Sequence, residues 1–165
     1  MKEWLKIRIG GLALLLASVN AAAAGWEAGM DVPSLDEYSL IGDAPSLEGK
    51  VTLIDFWASW CAPCKAAFPE MDKLYQEFGD EGFQIIAVSV DQKERAMQQF
   101  LDRRKPSFKT VHDASQKLVE KAGIQVMPTS FMIDKKGVIR FAHEGWHGKK
   151  SMRNLTEEIK ILLAE

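Results

Sequence analysis

Cysteine is nearly absent from this 165-residue chain: there are two, Cys61 and Cys64, three positions apart. A bridge between them closes too short a loop to remove much entropy from the unfolded chain, so it does not act as the kind of staple found in small secreted domains. Histidine is scarce as well, with His112, His143 and His147 making up the three. A closed zinc site needs four ligands, and no second CxxC or helical HxxxH is there to complete one. His143 and His147 have a ligand-like spacing, but Gly145 and the strand end expected there argue against a shared helical face. Long basic runs are missing too, and the formal net charge is −2. The electrostatic attraction to phosphate on which nucleic-acid binding depends is therefore weak, and nucleic acid is not an expected partner.

The apolar run from Ile9 to Val19 is shorter than the roughly 20 residues that span a bilayer, and Ser18 and Asn20 interrupt its end. Lys2, Lys6 and Arg8 precede it, and Ala21 to Ala24 follow, with Ala22 and Ala24 forming an A-x-A pattern. This is the layout of a cleaved secretory signal over residues 1–24, rather than an anchor, with the folded domain over residues 25–165. No cysteine near the alanines offers a site for a lipid. The expected location is the periplasm. Setting aside Lys2, Glu3, Lys6 and Arg8 leaves 18 basic against 22 acidic side chains, a mildly acidic remainder.

With 47% hydrophobic and 27% charged residues, the chain suits one globular domain with a proper core. Residues 25–50, rich in Gly, Asp, Ser and Pro, form an extended lead-in with an edge hairpin around Tyr38 to Ile41. Val51 to Trp57 is nearly continuous in β-formers, as a strand covered on both faces would be. A helix follows from Ala62 to Phe78, with Phe68, Met71, Leu74, Tyr75 and Phe78 on one stripe and Pro69 inside it. Phe83 to Val90 is a strand, Arg95 to Arg104 a helix, Ser107 to Val111 a short strand, and Ser115 to Ala122 a helix ended by Gly123. Thr129 to Asp134 and Val138 to His143 form an antiparallel hairpin, and Lys149 to Leu163 closes the chain as an amphipathic helix. The alternation predicts an α/β fold, a central mixed β-sheet with helices on both faces.

In Asp55-Phe56-Trp57-Ala58-Ser59-Trp60-Cys61-Ala62-Pro63-Cys64-Lys65 the CxxC sits where a strand ends and a helix begins. Unpaired N–H groups and the positive end of the helix dipole stabilise a thiolate there, lowering its pKa from about 8.5 toward ~7 or below. Cys61 is the expected nucleophile. Cys64, one turn in and less exposed, is the expected resolving thiol. Asp55 is a carboxylate in a run that otherwise belongs in the interior; burial raises its pKa and makes it a candidate proton acceptor. Met127 on its own is as readily explained by core filling. Copper held by the two thiolates is the alternative to redox chemistry.

The strand–WCxPC–helix block with Pro69, together with Gly123-Ile124-Gln125-Val126-Met127-Pro128-Thr129 and the helix and strand between Val90 and His112, resembles the thioredoxin superfamily, in its TlpA/ResA-like branch of exported thiol–disulfide oxidoreductases. The resemblance runs from about Pro33 to Leu163. It implies a thioredoxin-like fold with an N-terminal extension and an extra helix–strand insertion. Pro128 is then the cis-proline facing the disulfide, and Trp60, Met127, Pro128 and Gly145 line a substrate groove. Two departures stand out: Ala87 replaces the lysine that faces the aspartate in thioredoxins, and Ala67 stands where several relatives carry a glutamate.

The resemblance further implies an enzyme that needs no cofactor and exchanges disulfides with cysteine-containing client proteins. It points to a reductant, of the type serving cytochrome c maturation or copper-site assembly, fed with electrons by a membrane-embedded thiol reductase. The alternatives are a disulfide-donating oxidase or isomerase, or a non-enzymatic copper carrier.

Overall fold

The computed structural model describes residues 25–165, so the signal sequence expected over residues 1–24 lies outside the described residues. Nine main elements follow in order: β1 (Val51–Trp57), α1 (Ala62–Phe78), β2 (Phe83–Ser89), α2 (Glu94–Arg104), β3 (Lys109–His112), α3 (Lys117–Ala122), β4 (Thr129–Ile133), β5 (Ile139–Glu144) and α4 (Lys149–Ala164). The sheet order is β3-β2-β1-β4-β5. β1 lies parallel to β2 and antiparallel to β4, and β2–β3 is parallel while β4–β5 is antiparallel, giving the mixed sheet.

β1 is buried along its whole length, as its unbroken apolar run requires of a central strand. Because successive side chains of a strand point to opposite faces, β1 serves two cores. Phe56 meets Trp26 and Phe131 edge-on at centroid distances of 5.8 and 6.2 Å on one face. Trp57, on the other, packs against Phe68 of α1 and Phe100 of α2 at 4.5 and 5.0 Å. Asp55 shares the parity of Trp57 and so lies on the α1 face. α4 joins that layer by burying Leu155, Ile159 and Leu162.

The lead-in departs from the expected hairpin. Residues Leu35–Tyr38 form a short 3-10 helix instead, and two single bridges tie the segment to opposite sheet edges, Asp31 to Val138 and Ile41 to His112. The physical reason lies in the edges: β3 and β5 offer unpaired backbone groups, whereas a local hairpin pairs the segment only with itself. α3 begins at Lys117, two residues later than the pattern predicts, since Asp113 accepts from the Val119 N–H (2.9 Å) and Gln116 adopts a left-handed backbone.

Candidate active site

Cys61 is the N-cap of α1. Its extended backbone ends the turn after β1, its carbonyl accepts from the Lys65 N–H (3.1 Å), and its Sγ accepts from the Cys64 N–H (3.2 Å). Pro63 in the first turn lacks a donor that the helix could not have used anyway. Cys61 and Cys64 are joined by a disulfide. Cys61 is 5% exposed and Cys64 not at all, so an incoming group reaches Cys61 first.

Asp55 lies at the end of β1 on the α1 face and is 3% exposed, with Oδ2 unpartnered. Burial holds its carboxyl well above the ordinary carboxylate pKa. The register sets Ala87 of β2 on one side of it and Ser130 of β4 on the other. No cation faces it across either strand, which is why burial acts on this carboxyl unopposed.

Just before β4, whose Thr129 pairs with Phe56 of β1, the Met127–Pro128 peptide is cis. The loop is held from both sides: the Thr129 hydroxyl donates to the Val126 carbonyl (2.8 Å), and the Gly145 N–H donates to the Pro128 carbonyl (2.7 Å). Gly145 has φ of +72°, a left-handed conformation that a side chain would strain. Met127 is half-buried, whereas Trp60, 68% exposed, and Val126 present apolar surface to solvent. Pro128 and Gly145 are thus hydrogen-bonded neighbours next to Met127, Trp60 directly precedes Cys61, and Asp55 lies on the α1 face of β1.

Asp91, which the sequence reading does not single out, is buried and anchors the turn before Cys61. Its Oδ2 accepts from the Ser59 N–H and the Ser89 hydroxyl (both 2.9 Å), and its Oδ1 accepts from the Ser59 hydroxyl (2.7 Å). A carboxylate just past an apolar parallel strand, at the carboxyl end of the sheet, was the available signal. His112 lies behind it, with Nε2 2.7 Å from the Asp91 carbonyl. His143 pairs instead with Glu158 of α4 (2.8 Å), away from His147. Among the described residues no three His, Cys, Asp or Glu side chains converge in a metal-binding cluster.

With this geometry in hand, the Redoxin family model matches residues 36–157. The chain belongs to the Redoxin family. Within it, ResA of Bacillus subtilis, a thiol–disulfide oxidoreductase, is 31% identical over 149 residues, covering 84% of this chain and 83% of that protein. ResA of Halalkalibacterium halodurans is 36% identical over 114 residues, 69% of this chain. The chain spans only 65% of that relative's length and 52% of the ResA of Oceanobacillus iheyensis. A Chlorobium tepidum structure, described as a candidate thiol:disulfide interchange protein DsbE, superposes with a TM-score of 0.77 at 30% identity, over 84% of this chain and 99% of that one. This Redoxin member thus has the thioredoxin-like α/β fold, with the additional helix α2 and strand β3 between β2 and α3.

Proposed function

We propose that the chain is an envelope thiol–disulfide oxidoreductase that reduces disulfides in cysteine-containing client proteins, with Cys61 as nucleophile, Cys64 as resolving thiol and Asp55 as proton acceptor. The observation that carries this reading is the joined Cys61–Cys64 pair at the N-terminus of α1, backed by a buried carboxyl with a free oxygen. In the reduced protein, the Cys61 thiolate attacks one sulfur of the client disulfide, and the other client sulfur leaves as a thiolate. Cys64, its proton passed to Asp55, then attacks Cys61 and releases the second client sulfur. The net step moves two electrons from the Cys61–Cys64 dithiol to the client. Trp60, Met127, Pro128 and Gly145 hold the client segment beside the pair, with the cis-proline loop pairing as a strand would.

On this reading residues 1–24 direct export and are removed, and the folded part works in the periplasm. No helix among the described residues is long and apolar enough to cross a membrane. Because that compartment is oxidising, the dithiol must be regenerated by a membrane-embedded thiol reductase drawing on cytoplasmic electrons. Client classes consistent with this direction are apocytochrome c and copper-site cysteines.

The test is the reduction potential of the Cys61–Cys64 couple, equilibrated against dithiothreitol or glutathione and read by thiol labelling. A value near or below about −220 mV supports the reductant, one near about −120 mV reverses the direction to disulfide donation, and absence of a two-electron couple overturns both. Independently, Cys64→Ser is expected to trap Cys61 in mixed disulfides with clients, visible as nonreducing gel shifts that Cys61→Ser abolishes.

A further inference from the structure

A groove opens between α1 and the first turns of α4, its α1 wall starting at Ala66, two residues past Cys64. Its floor is apolar: Ala66, one helical turn beyond Ala62, faces Trp146 and Met152. It begins at the cis-proline loop, because Trp146 directly follows Gly145, whose N–H is bonded to the Pro128 carbonyl. A client chain lying along that loop therefore runs into this groove when it continues past its reactive cysteine.

The rim of the groove carries uncompensated positive charge. Glu70 and Lys73 on the α1 side neutralise one another at 2.8 Å. Lys149 and Arg153, four residues apart and so on one face of α4, are exposed, and among the described residues neither makes an ion pair. They occupy the first turns of a helix with no acidic residue in its first turn, where the dipole disfavours cations, so they do not stabilise α4. Of the acids nearby, Glu144 at the end of β5 lines the hollow near Trp26, and Glu157, one turn beyond Arg153 on α4, neither lines the groove nor forms an ion pair among the described residues.

We propose that this groove selects the client: it takes an apolar side chain on Trp146 and Met152 and a carboxylate against Lys149 and Arg153, so that favoured clients carry an acidic–apolar segment beside their reactive cysteines. This inference rests on the disulfide-exchange reading above and adds to it the class of partner. Charge complementarity at the rim raises the encounter rate and fixes the orientation of the client, while the apolar floor supplies the contact area.

The experiment uses the reduced protein and three synthetic peptides with one internal disulfide each. All have a leucine next to the disulfide, followed by two aspartates, two lysines or two serines. Each second-order reduction rate is divided by the rate of the same peptide with dithiothreitol, which removes the intrinsic reactivity of its disulfide. The acidic peptide is expected to be favoured over the basic one by about tenfold at low salt, the ratio falling toward one at about 1 M salt. Replacing both cations, Lys149→Glu with Arg153→Glu, is expected to invert the ratio, and Trp146→Ala to slow the acidic peptide. The salt series needs no variant and stands if one fails to fold. Equal ratios for the wild-type protein, or a preference that survives charge reversal, overturn the docking inference and leave the exchange reading intact. Failure to reduce any of the three peptides overturns both.

Discussion

At the scale of single residues, the neighbourhood of the Cys61–Cys64 pair holds two buried acids in opposite circumstances. Asp55 is buried, so its folded pKa lies well above the 3.8 of an ordinary aspartate, and neither a hydrogen bond to Oδ2 nor a facing cation offsets that burial. The native state therefore keeps a proton that the unfolded chain loses above about pH 4. Stability falls as pH rises from there through the folded pKa, with a slope of up to about 1.4 kcal/mol per pH unit. Asp55→Asn lacks this term, so urea denaturation between pH 4 and 8 should show the variant gaining on the wild-type protein as pH rises, and slower client release in the same range. Asp91, by contrast, accepts three hydrogen bonds on its carboxylate, two from Ser59 and one from Ser89. Asp91→Ala leaves those donors without an acceptor and is expected to destabilise by about 2–4 kcal/mol in denaturant titration, loosening the turn that carries Trp60 and Cys61. Cys61, Cys64 and Asp55 were legible because each residue type is conspicuous against its local pattern. Asp91 was not, since an aspartate after a strand looks like any loop acid until its distant partner Ser59, 32 residues back in the chain, is in place.

At the scale of elements, periodicity located the strands and helices because burial on one face imposes it. α4 shows how directly. Ile159 and Leu162 are fully buried, whereas Ile161 between them is 53% exposed. Ile159→Ala is expected to cost about 2–5 kcal/mol through lost burial and the cavity left behind, while Ile161→Ala should stay within about 0.5 kcal/mol, both read from chemical denaturation midpoints. The lead-in was misread as a hairpin because its short apolar alternation is compatible with any strand partner. Which partner it takes was settled by the two sheet edges, and these exist only once β3 and β5 are in position.

At the scale of the whole molecule, the lead-in is fastened to the site's own scaffold. Trp26 packs edge-on against both Phe56 and Phe131, its backbone N–H donates to the Ala122 carbonyl (3.0 Å), and Gly25 lies backbone to backbone on Gly123. A Cβ on Gly123 would come within 2.6 Å of the Gly25 Cα, and its φ of +70° disfavours any side chain. Gly123→Ala is expected to cost more than about 1 kcal/mol and to speed hydrogen exchange at the Trp26 amide, detaching the lead-in before the core unfolds. The sequence by itself determined the order of elements, the close cysteine pair at a strand–helix junction and the buried acid, since these follow from local pattern and from residue types out of place in it. Only the tertiary structure decided that Ala87 and Ser130 flank Asp55, that Asp91 clamps Ser59, and that a groove with Lys149 and Arg153 on its rim opens between α1 and α4. Each of these joins segments far apart in the chain, and the register and packing that bring them together are properties of the folded sheet and its helices.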